Sequence, residues 1–161
     1  MSRELHAYDY VNAPFAVVRD AILRDAAAIF QRATASAATR AGDLGATLRF
    51  DVGPVQVGVD VNIEVKGHRD EITALGDRST HIEISWTAKR AAGLFPSLAG
   101  TLSVLPLGAR ETQLDFHARY QPPLGLVGDA LDAVAGRRVA EASLRRFIED
   151  VCARLRQELA T

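Results

Sequence analysis

The last third of the chain places the strongest constraint on its fold. A Gln-Pro-Pro-Leu-Gly segment at 121–125 is followed by apolar residues at helical spacing, from about 126 to about 159. The residues before it alternate between apolar and polar, as β-strands do. In a chain of 161 residues so long a helix has to lie across the sheet, because no other element is large enough to cover its apolar face. The sequence therefore predicts a sheet, a helix across it and a cavity between them.

Composition limits the classes of partner. The length is that of one domain, so we expect a single domain over 1–161. Nineteen Lys and Arg residues stand against twenty Asp and Glu, which disfavours nucleic acid and anionic membranes. No apolar run has the length of a signal peptide or a membrane span, which predicts a cytoplasmic protein without integral membrane association. The lone Cys152 cannot form an internal disulfide and is interpreted as core packing.

The beginning of the chain is predicted to contain one strand and two short helices. Residues 4–12 alternate as a strand, and Pro14 opens a helix, since proline is tolerated in the first helical turn. Apolar residues share one helix face at 15–22, and 25–32 carries a second helical pattern. The segment 34–45 is small, polar and poor in anchoring side chains, so we expect a surface connection there.

The middle of the chain reads as consecutive strands. Between 55 and 65, six β-branched residues alternate with polar residues or glycine, so this strand has one wet face. Gly67 and Gly76 are predicted to make turns, and 90–96 is an insertion between two strands. The other predicted strands of this region are 48–52, 71–75, 82–88, 102–104 and 114–120.

These elements predict an α+β fold. Counting the opening strand, seven strands form a curved antiparallel sheet wrapped around the long C-terminal helix, with two short helices between strands 1 and 2. Consecutive strands favour antiparallel hairpins over parallel crossovers. A sheet with one wet face has to curl around something, and the long helix is the element available to fill its concave side.

Two segments carry a resemblance to a known family. Val11-Asn-Ala-Pro14 leads into Phe15-Ala-Val-Val18 at the front, and Tyr120 begins Tyr-Gln-Pro-Pro-Leu-Gly before the final helix. With this order of elements the chain resembles small bacterial members of the START-like superfamily (SRPBCC), which includes Bet v 1-like and polyketide cyclase/dehydrase-type proteins. The resemblance implies a helix-grip fold, with a hydrophobic cavity closed in part by the two short helices. Activities there range from lipid or hormone carriage to aromatic cyclisation, so the fold alone selects none.

The predicted inner face of the sheet is apolar. Alternation turns nearly every charged strand residue outward. We therefore expect binding or carriage of a small hydrophobic ligand (lipid, isoprenoid or aromatic polyketide-like) between sheet and C-terminal helix, with no cofactor. A protein-interaction module is a further alternative, which the polar outer residues of 55–65 disfavour, and a homodimer stays open. The predicted lining residues are Phe50, Val59, Val61, Ile84, Trp86, Phe95, Leu102, Phe116, Tyr120, Leu131, Ala135, Arg138 and Ala142.

An enzyme of the cyclase or dehydratase type, acting in the same cavity, is the main alternative. It requires an inward group that moves a proton or polarises a carbonyl, and the candidates are Asp9, Tyr120 and Arg138. If the end of the first strand faces the core, strand parity turns Asp9 inward, where Arg138 is a candidate partner. A bulged strand would instead turn Tyr8 and Tyr10 inward.

Histidine pairs are the remaining candidates for chemistry. His81 with Glu83, and Asp115 with His117, fall on the predicted outer face of the sheet. No Cys/His cluster has metal-ligand spacing along the chain, so we predict no metal site. The nucleophile-elbow, dinucleotide-binding and P-loop motifs are absent from the sequence.

Overall fold

A computed structural model describes residues 4–47, 61–88, 97–121 and 130–160, with side chains at 4–37, 63–86, 98–121 and 137–160. The strands and helices follow one another in an α+β order. Among the described helices, none combines the length and the apolar character that a membrane span requires. The elements are β1 (Glu4–Val11), α1 (Phe15–Arg24), α2 (Ala26–Thr47), β2 (Val61–Ile72), β3 (Arg78–Ala88), β4 (Ser97–Gly108), β5 (Glu111–Gln121) and α3 (Ala130–Leu159).

The sheet is antiparallel throughout its described part, in the order β1-β5-β4-β3-β2. Strands β2 to β5 form successive hairpins, and β1 closes the row by pairing with β5. The described residues contain five strands rather than the predicted seven. The predicted strand at 48–52 and the insertion at 90–96 lie outside the described residues. The prediction of a separate strand at 71–75 is wrong, because β2 continues to Ile72.

The strand β2 shows why that count differs. It runs without a break from Val61 to Ile72, so the turn predicted at Gly67 is wrong. Gly67 adopts a φ of 148°, which favours glycine, and the pairing with β3 slips between Val65 and Gly67. The glycine therefore makes a β-bulge instead of a turn. The turn predicted at Gly76 is confirmed, with a φ of 87°.

The helix α2 is much longer than predicted. The segment 34–45, expected to be a surface connection, continues the helix to Thr47, and that prediction is wrong. Alanine has the highest helix propensity, and its small side chain lets two helices approach closely. Ala33 and Ala37 are fully buried, and the Thr34 hydroxyl donates to the Phe30 carbonyl at 2.6 Å. The segment is therefore helical, and its described side chains Thr34 and Ala37 are buried.

The core lies between the inner face of the sheet and α3. Phe147 of α3 is fully buried, and its ring centroid lies 4.8 Å from that of Trp86 and 5.6 Å from that of Phe116. Phe30 of α2 lies 5.9 Å from Phe147 by the same measure. Aromatic rings at such separations and tilts pack favourably. The second half of α3 is therefore packed solidly against the sheet and α2. The buried side chains of α3 are Val139, Ala140, Ser143, Leu144, Phe147, Ile148, Val151, Cys152 and Leu155.

Candidate functional site

The inner face of β3, β4 and β5 carries the described part of the predicted apolar wall. Alternate residues point inward, as the sequence indicated, and each is at most 7% exposed. Phe147 fills the space in front of Trp86 and Phe116, so the sheet and α3 meet there through packed rings. These predicted lining residues are Ile84, Trp86, Leu102, Phe116 and Tyr120.

The rest of the predicted lining divides into three groups. Ala142 is half-buried, and Arg138 is exposed beside the buried Val139, so the helix surface carries Arg138 away from the core. The placement of Arg138 against a ligand is therefore not supported. Backbone alone is described for Val61, Leu131 and Ala135, while Phe50, Val59 and Phe95 lie outside the described residues.

Asp9 lies on the core-facing side of β1, as strand parity predicted. Val11 is buried at the end of the same face, whereas Tyr8 is 54% exposed, so the alternative with the tyrosines inward is wrong. The predicted pairing with Arg138 is also wrong. Arg156, in the last turn of α3, donates from Nη2 to Asp9 Oδ1 at 2.8 Å and from Nε to the Tyr10 carbonyl at 3.1 Å. The carboxylate is thus held by a structural ion pair.

Cys152 lies next to this ion pair and is fully buried in the core. Burial raises the pKa of Cys152 to about 12, and the neighbouring Asp9 carboxylate adds to the shift. Since the thiolate is the nucleophilic form, the side chain is inert near neutral pH. The prediction of core packing at this position is confirmed.

A cleft of about 430 Å³ opens between the edge strand β1 and α3. Leu5 and Ala7 form its apolar part. On the helix side, Arg137 donates from Nε to Glu141 Oε1 at 2.9 Å, and Arg145 follows one turn later. The full lining is Glu4, Leu5, His6, Ala7, His117, Arg137, Glu141 and Arg145.

Sequence reasoning missed this cleft. It placed the cavity against the central strands and treated the first strand chiefly as a carrier of Asp9. One available signal was the spacing of Arg137, Glu141 and Arg145, which at i, i+4 and i+8 puts three charges on one helix face. Such a charged stripe beside an edge strand marks a wet boundary between the helix and the sheet.

A second cluster of charged side chains lies on β2 and β3, on the opposite side of the sheet from β1. The Asp70 carboxylate accepts from Thr80 Oγ1 at 2.7 Å and from Arg19 Nη2 at 2.9 Å, and it also contacts Arg78 Nη2. Hydrogen bonds from Thr80, Arg19 and Arg78 hold the pKa of Asp70 well below its usual range. Because Arg19 belongs to α1, this network fastens the first helix to β2 and β3. Sequence reasoning missed it as well.

Three polar side chains also meet on the outer face of β1 and β5. His6 and His117 are directly paired residues, and their rings stack with centroids 4.0 Å apart and planes tilted by 8°. The Asp115 carboxylate contacts Nε2 of His6 and lies 3.4 Å from Nε2 of His117. The sequence indicated the outward pair Asp115 and His117, while His6, 109 residues before Asp115, was not connected with it.

No protein-family model and no curated protein sequence matches the chain. Among solved structures, it is similar to a conserved protein from Geobacillus kaustophilus, with 10% identity, 96% of each chain covered and a TM-score of 0.51. It is also similar to an aromatase/cyclase from Streptomyces sp. R1128, with 15% identity over 97% of this chain and 94% of that one, at a TM-score of 0.46. A START superfamily protein from Mycobacterium smegmatis gives 15% identity, 96% and 98% coverage and a TM-score of 0.44.

At these identities the comparisons concern the fold. They leave the substrate or ligand of this chain to be argued from its own residues. The antiparallel sheet, the two helices inserted after its first strand and the C-terminal helix packed against its inner face repeat the order that the sequence indicated. This arrangement fits a helix-grip fold, and the chain shares its fold with the conserved protein from Geobacillus kaustophilus.

Proposed function

We propose that this protein binds and carries a small, largely apolar molecule between its sheet and α3. The observation that supports this most directly is the cleft of about 430 Å³ at the β1 side of the helix. Its volume falls in the range of ordinary small-molecule pockets, roughly 300–1,000 Å³.

The lining favours a ligand with two unlike ends. Leu5 and Ala7 contribute a small apolar surface to a largely charged lining, in which Arg137 is paired with Glu141 and Arg145 adds a further cation. A molecule with an apolar body and a carboxylate or phenolic oxygen would match both parts. Lipids, isoprenoids and aromatic polyketides all meet that description, and they are the classes that we propose.

Carriage is favoured over catalysis by the state of the candidate catalytic groups. Asp9 is held by Arg156, and Arg138 is exposed. Neither residue lines the described cleft. A general acid or base has to lie within a hydrogen bond, or one water, of the reacting atom. A cyclase or dehydratase reaction would therefore depend on Tyr120, which is buried at the end of β5.

The proposal is tested by extracting the native protein and measuring the extract by mass spectrometry. In parallel, the purified protein is titrated with the fluorescent fatty acid cis-parinaric acid. We expect one saturable site, and Ala7→Trp should weaken binding by roughly tenfold or more because the indole fills the cleft. Ala153→Trp, which adds the same ring on the exposed face of α3, is the matched control.

Circular dichroism would confirm that both variants are folded. Equal binding by Ala7→Trp and the wild type would reject the cleft as the site. An extract without any apolar molecule, together with no saturable binding of the probe, would reject carriage itself.

A further inference from the structure

We propose that His6, Asp115 and His117 form a binding site for a divalent transition-metal ion of the zinc type. The three residues come from two adjacent strands. The antiparallel register places His6 directly opposite His117, and Asp115 lies two residues before His117 on the same face. One ligand atom from each residue lies within 4.8 Å of the other two. The strands thus bring together donors that are far apart in sequence.

The separation between His117 and Asp115 is close to that of a metal site, and His6 contacts the same carboxylate directly. Bonds of 2.0–2.2 Å in a tetrahedral zinc site put neighbouring ligand atoms roughly 3.3 Å apart. His117 Nε2 and Asp115 Oδ2 already lie 3.4 Å apart. The rings of His6 and His117 are almost parallel, so both Nε2 atoms approach the same carboxylate. Small rotations of the side chains would direct all three donors at one ion.

The donor set selects the class of ion. Two imidazoles and one carboxylate suit Zn²⁺, Co²⁺, Ni²⁺ or Cu²⁺, whereas Mg²⁺ and Ca²⁺ prefer oxygen ligands alone. Three protein ligands also leave a fourth position of a tetrahedral ion for water or another molecule.

The surroundings leave that fourth position accessible. The side chains of His6 and His117 are 44% and 63% exposed, and both also line the cleft beside α3. Asp115 is only 15% exposed, so the carboxylate is the anchored member of the set. An ion here would sit on the outer face of the sheet, open to solvent. The site requires no ligand in the cleft and stands independently of carriage.

The test uses the full chain after treatment with a chelator and removal of that chelator. Co²⁺ is titrated while the visible absorption bands are recorded, and Zn²⁺ is titrated by calorimetry. We expect one equivalent of either ion. His117→Gln and Asp115→Asn should each weaken Zn²⁺ binding by at least roughly tenfold, since even changes outside the ligand shell have effects of that size. His68→Gln, at an exposed histidine of β2, is the matched control and should bind as the wild type does.

A second measurement keeps the proposal falsifiable if a variant does not fold. Nitrogen-15 spectra of the wild-type imidazoles, recorded with and without Zn²⁺, should show changes confined to two of the four histidines. Binding of less than half an equivalent, wild-type affinity in His117→Gln, or an equal loss in His68→Gln would overturn the site. Changes at His68 or His81 in place of His6 and His117 would overturn it too.

Discussion

The two faces of one strand, β5, differ sharply in burial and in chemistry. Leu114 and Phe116 point inward and are at most 1% exposed. Asp115 and His117, their immediate neighbours in sequence, point outward and meet His6 of β1. Because successive side chains alternate across a strand, one segment can serve two purposes. The inner face stabilises the fold through packing, and the outer face gathers polar groups capable of chemistry.

This contrast predicts where substitutions affect stability. Side chains that pack on the inner face each exclude water from a dry interior, so truncation leaves a cavity. Polar side chains at the edges are partly hydrated in either state, and their loss is compensated by water. Effects should therefore fall steeply from the aromatic cluster toward the charged margins of the sheet.

The largest effect is expected for Phe147→Ala. Phe147 is fully buried against Trp86, Phe116 and Phe30, and its removal should lower the free energy of unfolding by about 3–5 kcal/mol. Urea denaturation followed by tryptophan fluorescence measures this loss. Glu149→Ala, two residues further along the exposed side of α3, should change stability by less than about 0.5 kcal/mol. A loss below about 1 kcal/mol for Phe147→Ala would show that the inner face is not close-packed.

A smaller, pH-dependent effect is expected for Asp70→Asn. The carboxylate, with its pKa held low by Thr80, Arg19 and Arg78, stabilises the folded state while it is charged. An unfolded aspartate has a pKa of about 3.9, so this stabilisation is complete above about pH 5. It is lost progressively as the pH falls below that value toward the lower folded pKa. The asparagine side chain carries no charge at any pH, so the variant lacks this contribution.

Thermal unfolding at pH 7 and pH 3 measures the difference. We expect Asp70→Asn to melt a few degrees below the wild type at pH 7, with a narrower gap at pH 3. Asp77→Asn, at the exposed turn between β2 and β3, is the control and should follow the wild type at both pH values. A gap of equal size at the two pH values would mean that the charge of Asp70 is not what fastens α1 to the sheet.

The position of Asp70 on β2 also shows where side-chain facing could be predicted from the sequence and where it could not. Alternation correctly indicated the facing of residues in β3, β4 and β5, because a regular strand has a period of two. In β2 the bulge at Gly67 shifts that period. Val65 lies opposite Ile84, and beyond the bulge Asp70 lies opposite Thr80. Ile84 and Thr80 share one face of β3, so the odd-numbered Val65 and the even-numbered Asp70 share one face of β2. A glycine within a strand pattern was the signal for a bulge, and a turn has the same signature.

Other misses have a different physical origin. The residues of 34–45 are compatible with a loop or a helix, and contact with α3 selects the helix. The meeting of His6 with Asp115 depends on which strands pair and in what register, and spacing along the chain carries no such information. The cleft beside β1 likewise exists only once α3 is placed against the edge strand. Local pattern predicts how side chains face, whereas tertiary pairing decides which side chains meet.

The smallest effect concerns the boundary between the two faces, at Asp9. Arg156→Met removes the guanidinium that binds Asp9 and the Tyr10 carbonyl. Because Arg156 is 43% exposed, solvent screens the pair, and we expect a loss of about 0.2–1 kcal/mol. A double-mutant cycle with Asp9→Asn, measured by urea denaturation, should give a coupling of similar size. The same cycle with Arg138→Met, at the exposed residue one would choose from sequence, should give none. Coupling to Arg138 instead of Arg156 would contradict the ion pair between Asp9 and Arg156. Asp9 would then again be a candidate general acid for the enzymatic alternative.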